Sequence, residues 1–110
     1  MMLFLFKKIH ATYLHSFSLF LQIMIPVIQA LNPRAEVVVN HYFLFNINIR
    51  DRKFEVLDSW RTIKDAALKE CVNKIISTAF ILWDENYPSS KVQIDTFKLE
   101  EIPVPRQTTK

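Results

Sequence analysis

From Ala35 onward the chain alternates with a period of two, setting His41, Phe43, Phe45, Ile47 and Ile49 on one side and Tyr42, Leu44, Asn46 and Asn48 on the other. That period belongs to an extended strand with two distinct faces; a helix would scatter the same residues around its axis. Arg50-Asp51-Arg52-Lys53 then makes a polar turn and Phe54-Glu55-Val56-Leu57-Asp58 runs back, so the pattern predicts a β-hairpin. If Arg50 pairs with Lys53, Asp58 lies opposite Phe45 and on the face of His41. Four residues along a strand span about 13 Å. His41 and Asp58 can therefore touch only if twist, a bulge or the strand ends draw them together.

The turns of this chain must be made without glycine, because it has none, where average usage would give about eight. Asn, Asp and Pro are left to supply every turn and helix end. This composition fits a fragment, or a partly misassigned reading frame, at least as well as a fold selected as a complete unit.

After the hairpin a long helix is expected. Ser59 is a suitable N-cap, and Trp60, Ile63, Ala67, Cys71, Ile75, Ala79 and Leu82 recur every three or four residues. Asp65 with Lys69 and Glu70 with Lys74 form acid-to-base pairs in the favourable order. The helix should end near Trp83-Asp84, before the turn cluster Asn86-Tyr87-Pro88-Ser89-Ser90. An extended piece from Lys91 to Leu99 leads into Ile102-Pro103-Val104-Pro105, where the prolines exclude both a helix and a central strand.

Composition shifts near Leu31-Asn32-Pro33, which divides the chain into an apolar segment, 1–31, and the remainder, 32–110. The segment is expected to form a buried or amphipathic helix with Phe17, Phe20, Leu21, Met24 and Ile28 on one face, followed by an extended piece at Met24-Ile25-Pro26-Val27-Ile28. The two assignments overlap. A membrane anchor is the lesser alternative: the length suffices for a span of about twenty residues, but His10, His15, Gln22, Gln29 and Pro26 interrupt it.

At 110 residues, with 50% hydrophobic residues and nine Phe, there is material for one small packed domain rather than a disordered chain. A net charge of +3 is mild and its carriers are scattered, so no nucleic-acid surface is expected. The single cysteine excludes an internal disulfide framework and a Cys-rich zinc site. His10 and His15 share a helix face poorly as metal ligands, and no cofactor is expected.

The residue types that carry chemistry are a histidine entering the hairpin and an acid leaving it. A thiol protease needs a thiolate, a histidine to take its proton and later protonate the leaving amine, and an acid to orient the imidazole. His41, with an ordinary pKa of about 6.5, can be the base, and Asp58 the orienter. Cys71 is an unsuitable nucleophile: it sits on the apolar helix face, where burial raises a thiol's pKa and keeps it inert. Trp60 and Trp83 are expected to pack rather than to contact a ligand.

The stretch from His41 to Gln107 resembles the catalytic domain of the ubiquitin-like-protein-specific (SUMO-type) cysteine proteases, the SUMO-protease and adenovirus-protease-like superfamily, and especially its plant transposon-associated members. In that family a His-aromatic pair opens a strand, similar to His41-Tyr42. A basic turn follows, as at Arg50 to Lys53, and an apolar-Asp-Ser motif closes the next strand, as at Leu57-Asp58-Ser59. A Leu-Trp pair lies near the end of the next helix, similar to Leu82-Trp83, and a Pro-x-Gln segment comes after it, matched by Pro105-Arg106-Gln107. Met24-Ile25-Pro26-Val27 looks like the family's extended element before the histidine strand; Tyr42 departs from the usual Trp.

The resemblance implies an α+β fold, a fragment of a papain-like (adenain/SUMO-protease-like) cysteine peptidase domain with a β-hairpin followed by a long helix. It implies His41 as base, Asp58 as its orienter and Gln107 as oxyanion-hole donor, in hydrolysis of the bond after a ubiquitin-like protein's C-terminal glycine. It also implies a SUMO-like partner and a nuclear or cytoplasmic setting. The family's nucleophile stands in an Asp-Cys-Gly run shortly beyond the glutamine, which these residues do not reach. The chain is accordingly expected to be truncated before the nucleophilic cysteine and inactive as given. A non-catalytic fragment that binds a ubiquitin-like protein, and a small membrane-associated protein, are the alternatives.

Overall fold

In a computed structural model the structure describes residues 22–32, 34–37 and 39–106. Strand β1 (Gln22–Ala30) is followed by β2 (Asn40–Asn48), β3 (Lys53–Leu57), a long helix α1 (Ala66–Asn86), a single 3₁₀ turn (Ile94–Thr96) and β4 (Lys98–Glu101). The strands form one sheet in the order β1-β2-β3-β4. The first three are antiparallel to their neighbours. β4 runs parallel to β3, which requires a long crossover, and α1 supplies it.

The alternation read from the sequence decides which face is buried. Ile23 and Ile25 of β1, Phe43, Phe45 and Ile47 of β2, and Phe54 and Val56 of β3 share one core cluster with Leu68, Val72, Ile75, Ala79, Leu82 and Trp83 of α1. Register explains the continuity across strands: Ile25, Phe45 and Val56 lie side by side, as do Ile23, Ile47 and Phe54. Phe45 and Phe54 stack at 5.7 Å, and Phe97 closes the far end against Phe54 at 5.5 Å.

The opposite face is polar where β2 meets β3. The Asn46 amide donates to Glu55 Oε1 at 2.7 Å and to Gln22 Oε1 at 2.8 Å, and Lys53 lies 3.6 Å from Glu55 Oε2. Within β4, Glu100 accepts from Lys53 Nζ at 2.6 Å, and just past its end the Ile102 N–H reaches the Val56 carbonyl at 2.9 Å. These bonds reinforce the pairing of a strand whose own side chains are all exposed.

Several expectations are corrected. Residues 22–30 form a strand rather than the end of a helix, so at Met24 to Ile28 the extended assignment holds, and Met24 and Ile28 are exposed rather than on a buried helix face. Between β1 and β2, Asn32 Oδ1 accepts from the Val39 N–H at 2.6 Å. The proposed helical residues Phe17, Phe20 and Leu21 lie outside the described residues. Among those described, no helix is long and apolar enough to cross a membrane.

The helix begins later than expected, and the expected buried face holds at Ile75, Ala79 and Leu82 but not in the first turns. Its N-cap is Asp65, whose carboxylate accepts from the Leu68 N–H at 3.0 Å, not Ser59. The buried stripe runs through Leu68 and Val72, while Ala67 is exposed and Cys71 half-buried. The Glu70–Lys74 pair forms as expected, at 3.3 Å on the exposed side. The helix ends at Asn86, one turn beyond Trp83, where the Tyr87 N–H bonds the Trp83 carbonyl at 2.7 Å. Lys91 to Leu99 is not continuously extended: Ile94–Thr96 forms a 3₁₀ turn, and the strand begins at Lys98.

Candidate active site

The hairpin register differs from the expected one by two residues, and the difference builds the site. Asn48, not Arg50, pairs with Lys53. The loop therefore spans Ile49 to Arg52, with the Asn48 side chain accepting from the Asp51 N–H at 2.9 Å and Arg52 at φ 57°. Arg52 occupies the left-handed region that glycine usually fills. A shift of two keeps every side chain on its face, but it brings the end of β3 two residues closer to His41. The chain then turns out of the strand at Asp58, and His41 Nε2 and Asp58 Oδ1 meet at 2.9 Å.

Asp58 is held by the backbone just after it. Its Oδ1 accepts from the N–H groups of Trp60 and Arg61, both at 2.8 Å, in a local turn of the kind aspartate favours. Oδ2 accepts from Arg61 Nε at 3.1 Å. Burial raises the carboxyl's proton affinity, but the Arg61 and Trp60 amides, the His41 ring and the Arg61 guanidinium outweigh it and hold Asp58 below the usual carboxylate range. An ionised carboxylate can only accept, so the His41 nitrogen facing it must carry the proton. Neutral His41 is thereby the Nε2–H tautomer, with the Nδ1 lone pair available to a thiol.

The imidazole is enclosed as well as oriented. His41 is 8% exposed and Asp58 5%, and the Trp60 ring lies 5.3 Å from the imidazole at a 56° tilt. Trp60 therefore packs on the histidine itself rather than on a helix face. Trp83 is core, as expected, its indole N–H reaching the Val92 carbonyl at 3.2 Å.

Three residues of this site carry no motif. The Arg61 guanidinium lies 5.6 Å over the Phe43 ring and donates from Nη1 to Gln29 Oε1 at 2.9 Å, while its buried Nη2 has no acceptor among the described residues. Gln29 in turn donates to the Ala67 carbonyl in the first turn of α1 at 3.2 Å. Arg106 Nη1 donates to the Asp58 and Arg61 carbonyls, each at 3.1 Å, tying the chain after β4 to the aspartate turn. Proximity in sequence to the Asp-Ser motif was the sole available signal for Arg61, and adjacency to Gln107 the sole signal for Arg106.

Cys71 lies elsewhere. It lines a hollow between α1 and β1 with Ile25, Val27 and Ile75, makes no hydrogen bond to His41, and burial pushes its thiol up from the ordinary range. Gln107, His10 and His15 fall outside the described residues.

No family model matches the chain, and no curated relative matches its sequence. Solved structures do match its fold. One is a SUMO protease Ulp1 with its catalytic cysteine oxidised to a sulfonic acid, at TM-score 0.59 and 15% identity over 94% of this chain and 43% of that one. Another is the C-terminal Ulp1 protease domain in complex with Smt3, the yeast orthologue of SUMO, at TM-score 0.55 and 15% identity over 96% and 44%. The four-stranded sheet and its helix thus have the α+β architecture of part of a SUMO-protease domain, and the chain spans less than half the length of these neighbours.

Proposed function

We propose that this chain carries the base and the orienting acid of a ubiquitin-like-protein-specific cysteine peptidase, with His41 as base and Asp58 as its orienter. The observation that carries the reading is the buried 2.9 Å contact between His41 Nε2 and Asp58 Oδ1, formed within the architecture of a SUMO-protease domain. In the reaction, Nδ1 of His41 takes the proton of an attacking thiol and returns it to the leaving amine, while Asp58 stabilises the imidazolium formed between the two transfers. Gln107 is assigned to the oxyanion. The place of Cys71 against β1, away from His41, supports a nucleophile other than Cys71, and residues 1–110 alone should give no turnover.

The test is to read the encoding transcript past the Lys110 codon and to express the chain together with any residues encoded beyond it. The expectation is an Asp-Cys-Gly run and hydrolysis of a SUMO-like C-terminal amide. His41→Ala should then lower kcat by about 10⁶-fold and Asp58→Asn by about 10⁴-fold, with Cys71→Ala neutral. Turnover that survives His41→Ala sinks the reading. A second reading, capture of a SUMO-like protein without turnover, draws on the neighbour bound to Smt3. It predicts saturable binding that does not depend on His41.

A further inference from the structure

The contacts around Asp58 form a closed ring rather than a linear relay. His41 bonds Asp58, Asp58 bonds Arg61, Arg61 bonds Gln29, and Gln29 is the register partner of His41 across the β1–β2 ladder. Each member has an opposing hold. The Arg61 side chain is 4% exposed and that of Asp58 1%, so this is not a solvent-screened surface pair. Phe43 supports one face of the guanidinium. Both ends of the Gln29 amide are used, the oxygen by Arg61 and the nitrogen by Ala67.

We infer that Arg61, braced by Gln29, is the positioning residue of this site: it fixes Oδ2 of Asp58 so that Oδ1 stays committed to the His41 Nε2–H and Nδ1 remains the free base. Its catalytic meaning rests on the proposed function. Without Arg61, Oδ2 has no side-chain donor, and the carboxylate can rotate about its Cβ–Cγ bond until imidazole and backbone amides no longer share one oxygen. A lysine cannot replace it, because a point charge lacks the planar fork that meets Asp58 through Nε and Gln29 through Nη1 together.

The test uses the full 110-residue chain and NMR, and needs no nucleophile. In Arg61→Met the Asp58 carboxyl midpoint should rise, and the ¹⁵N shifts of His41 should change from the Nε2–H tautomer to a mixture. Arg61→Lys should recover part of the midpoint shift while leaving the tautomer mixed. Gln29→Met should leave the Asp58 midpoint near wild type but speed exchange of the Arg61 Nε–H by about tenfold through more frequent local opening. A folded Arg61→Met chain with the wild-type midpoint and tautomer overturns the inference. If that variant fails to fold, a wild-type tautomer in Arg61→Lys does the same, and unchanged exchange in Gln29→Met removes the bracing role. A fixed tautomer here, together with no hydrolysis of a SUMO-like substrate by the chain extended past Lys110, would instead sink the function and leave the positioning role standing.

Discussion

A carboxylate with its side chain 1% exposed is costly unless it is hydrogen-bonded, and Asp58 is held by two amides, an imidazole and a guanidinium. The result bears on stability as well as on chemistry. Its proton affinity is lower folded than unfolded, so the folded state gains from ionised Asp58 at any pH above the unfolded value of about 3.9. That gain is lost as pH falls from there through the lower folded midpoint. Urea midpoints measured between neutral pH and strong acid should therefore show a steep acid limb in the wild type. Asp58→Asn should be less stable at neutral pH and flatter across that acid window; a limb of equal slope in both proteins would contradict this account. His41 and Asp58 were legible in the sequence because their motifs are short and local. Gln29 and Arg61 were not, since a glutamine in an apolar strand and an arginine after a turn are ordinary until register brings them together.

At the scale of elements, the helix start shows how one side chain can move another's role. The segment after β3 offered Ser59 as a cap, but Asp58 has already drawn the Trp60 and Arg61 amides into its own turn, so helix growth waits for Asp65. Asp65→Ala should cost about 1 kcal/mol of stability, measured by chemical denaturation. The hairpin was likewise readable in kind but not in register. Face alternation has a period of two and is blind to a shift of two, and the choice was made by Asn48 and by the positive φ of Arg52, a conformation that no glycine announced. β1 was legible only in part for a different reason: Met24 to Ile28 was read as extended, but it is apolar on both parities, so neither period stands out and an overlapping helix stayed open.

Among the described residues the fold depends on one face of one sheet against one helix. Phe45 is fully buried at the middle of it. Phe45→Ala should cost about 3–5 kcal/mol, a large share of the roughly 5–15 kcal/mol that holds small domains together. Cys71→Ala, at the half-buried margin, should shift the denaturation midpoint little. Comparable midpoints for the two variants would mean that the core is centred elsewhere. The architecture was recoverable from the sequence because hairpin, helix and edge strand each have their own period or breaker, whereas the buried face of the first turns of α1 was not, because Ala67 and Cys71 compete with Leu68 and Val72 for the same role. The pairing of Gln29 with His41 has a last consequence. If β2 slid by two residues against β1, apolar side chains would still meet apolar side chains, yet the partners would part by about 7 Å. The ring of polar contacts is thus the chain's checksum: a molecule aligned two residues out would be compact and stable enough to survive, and chemically mute.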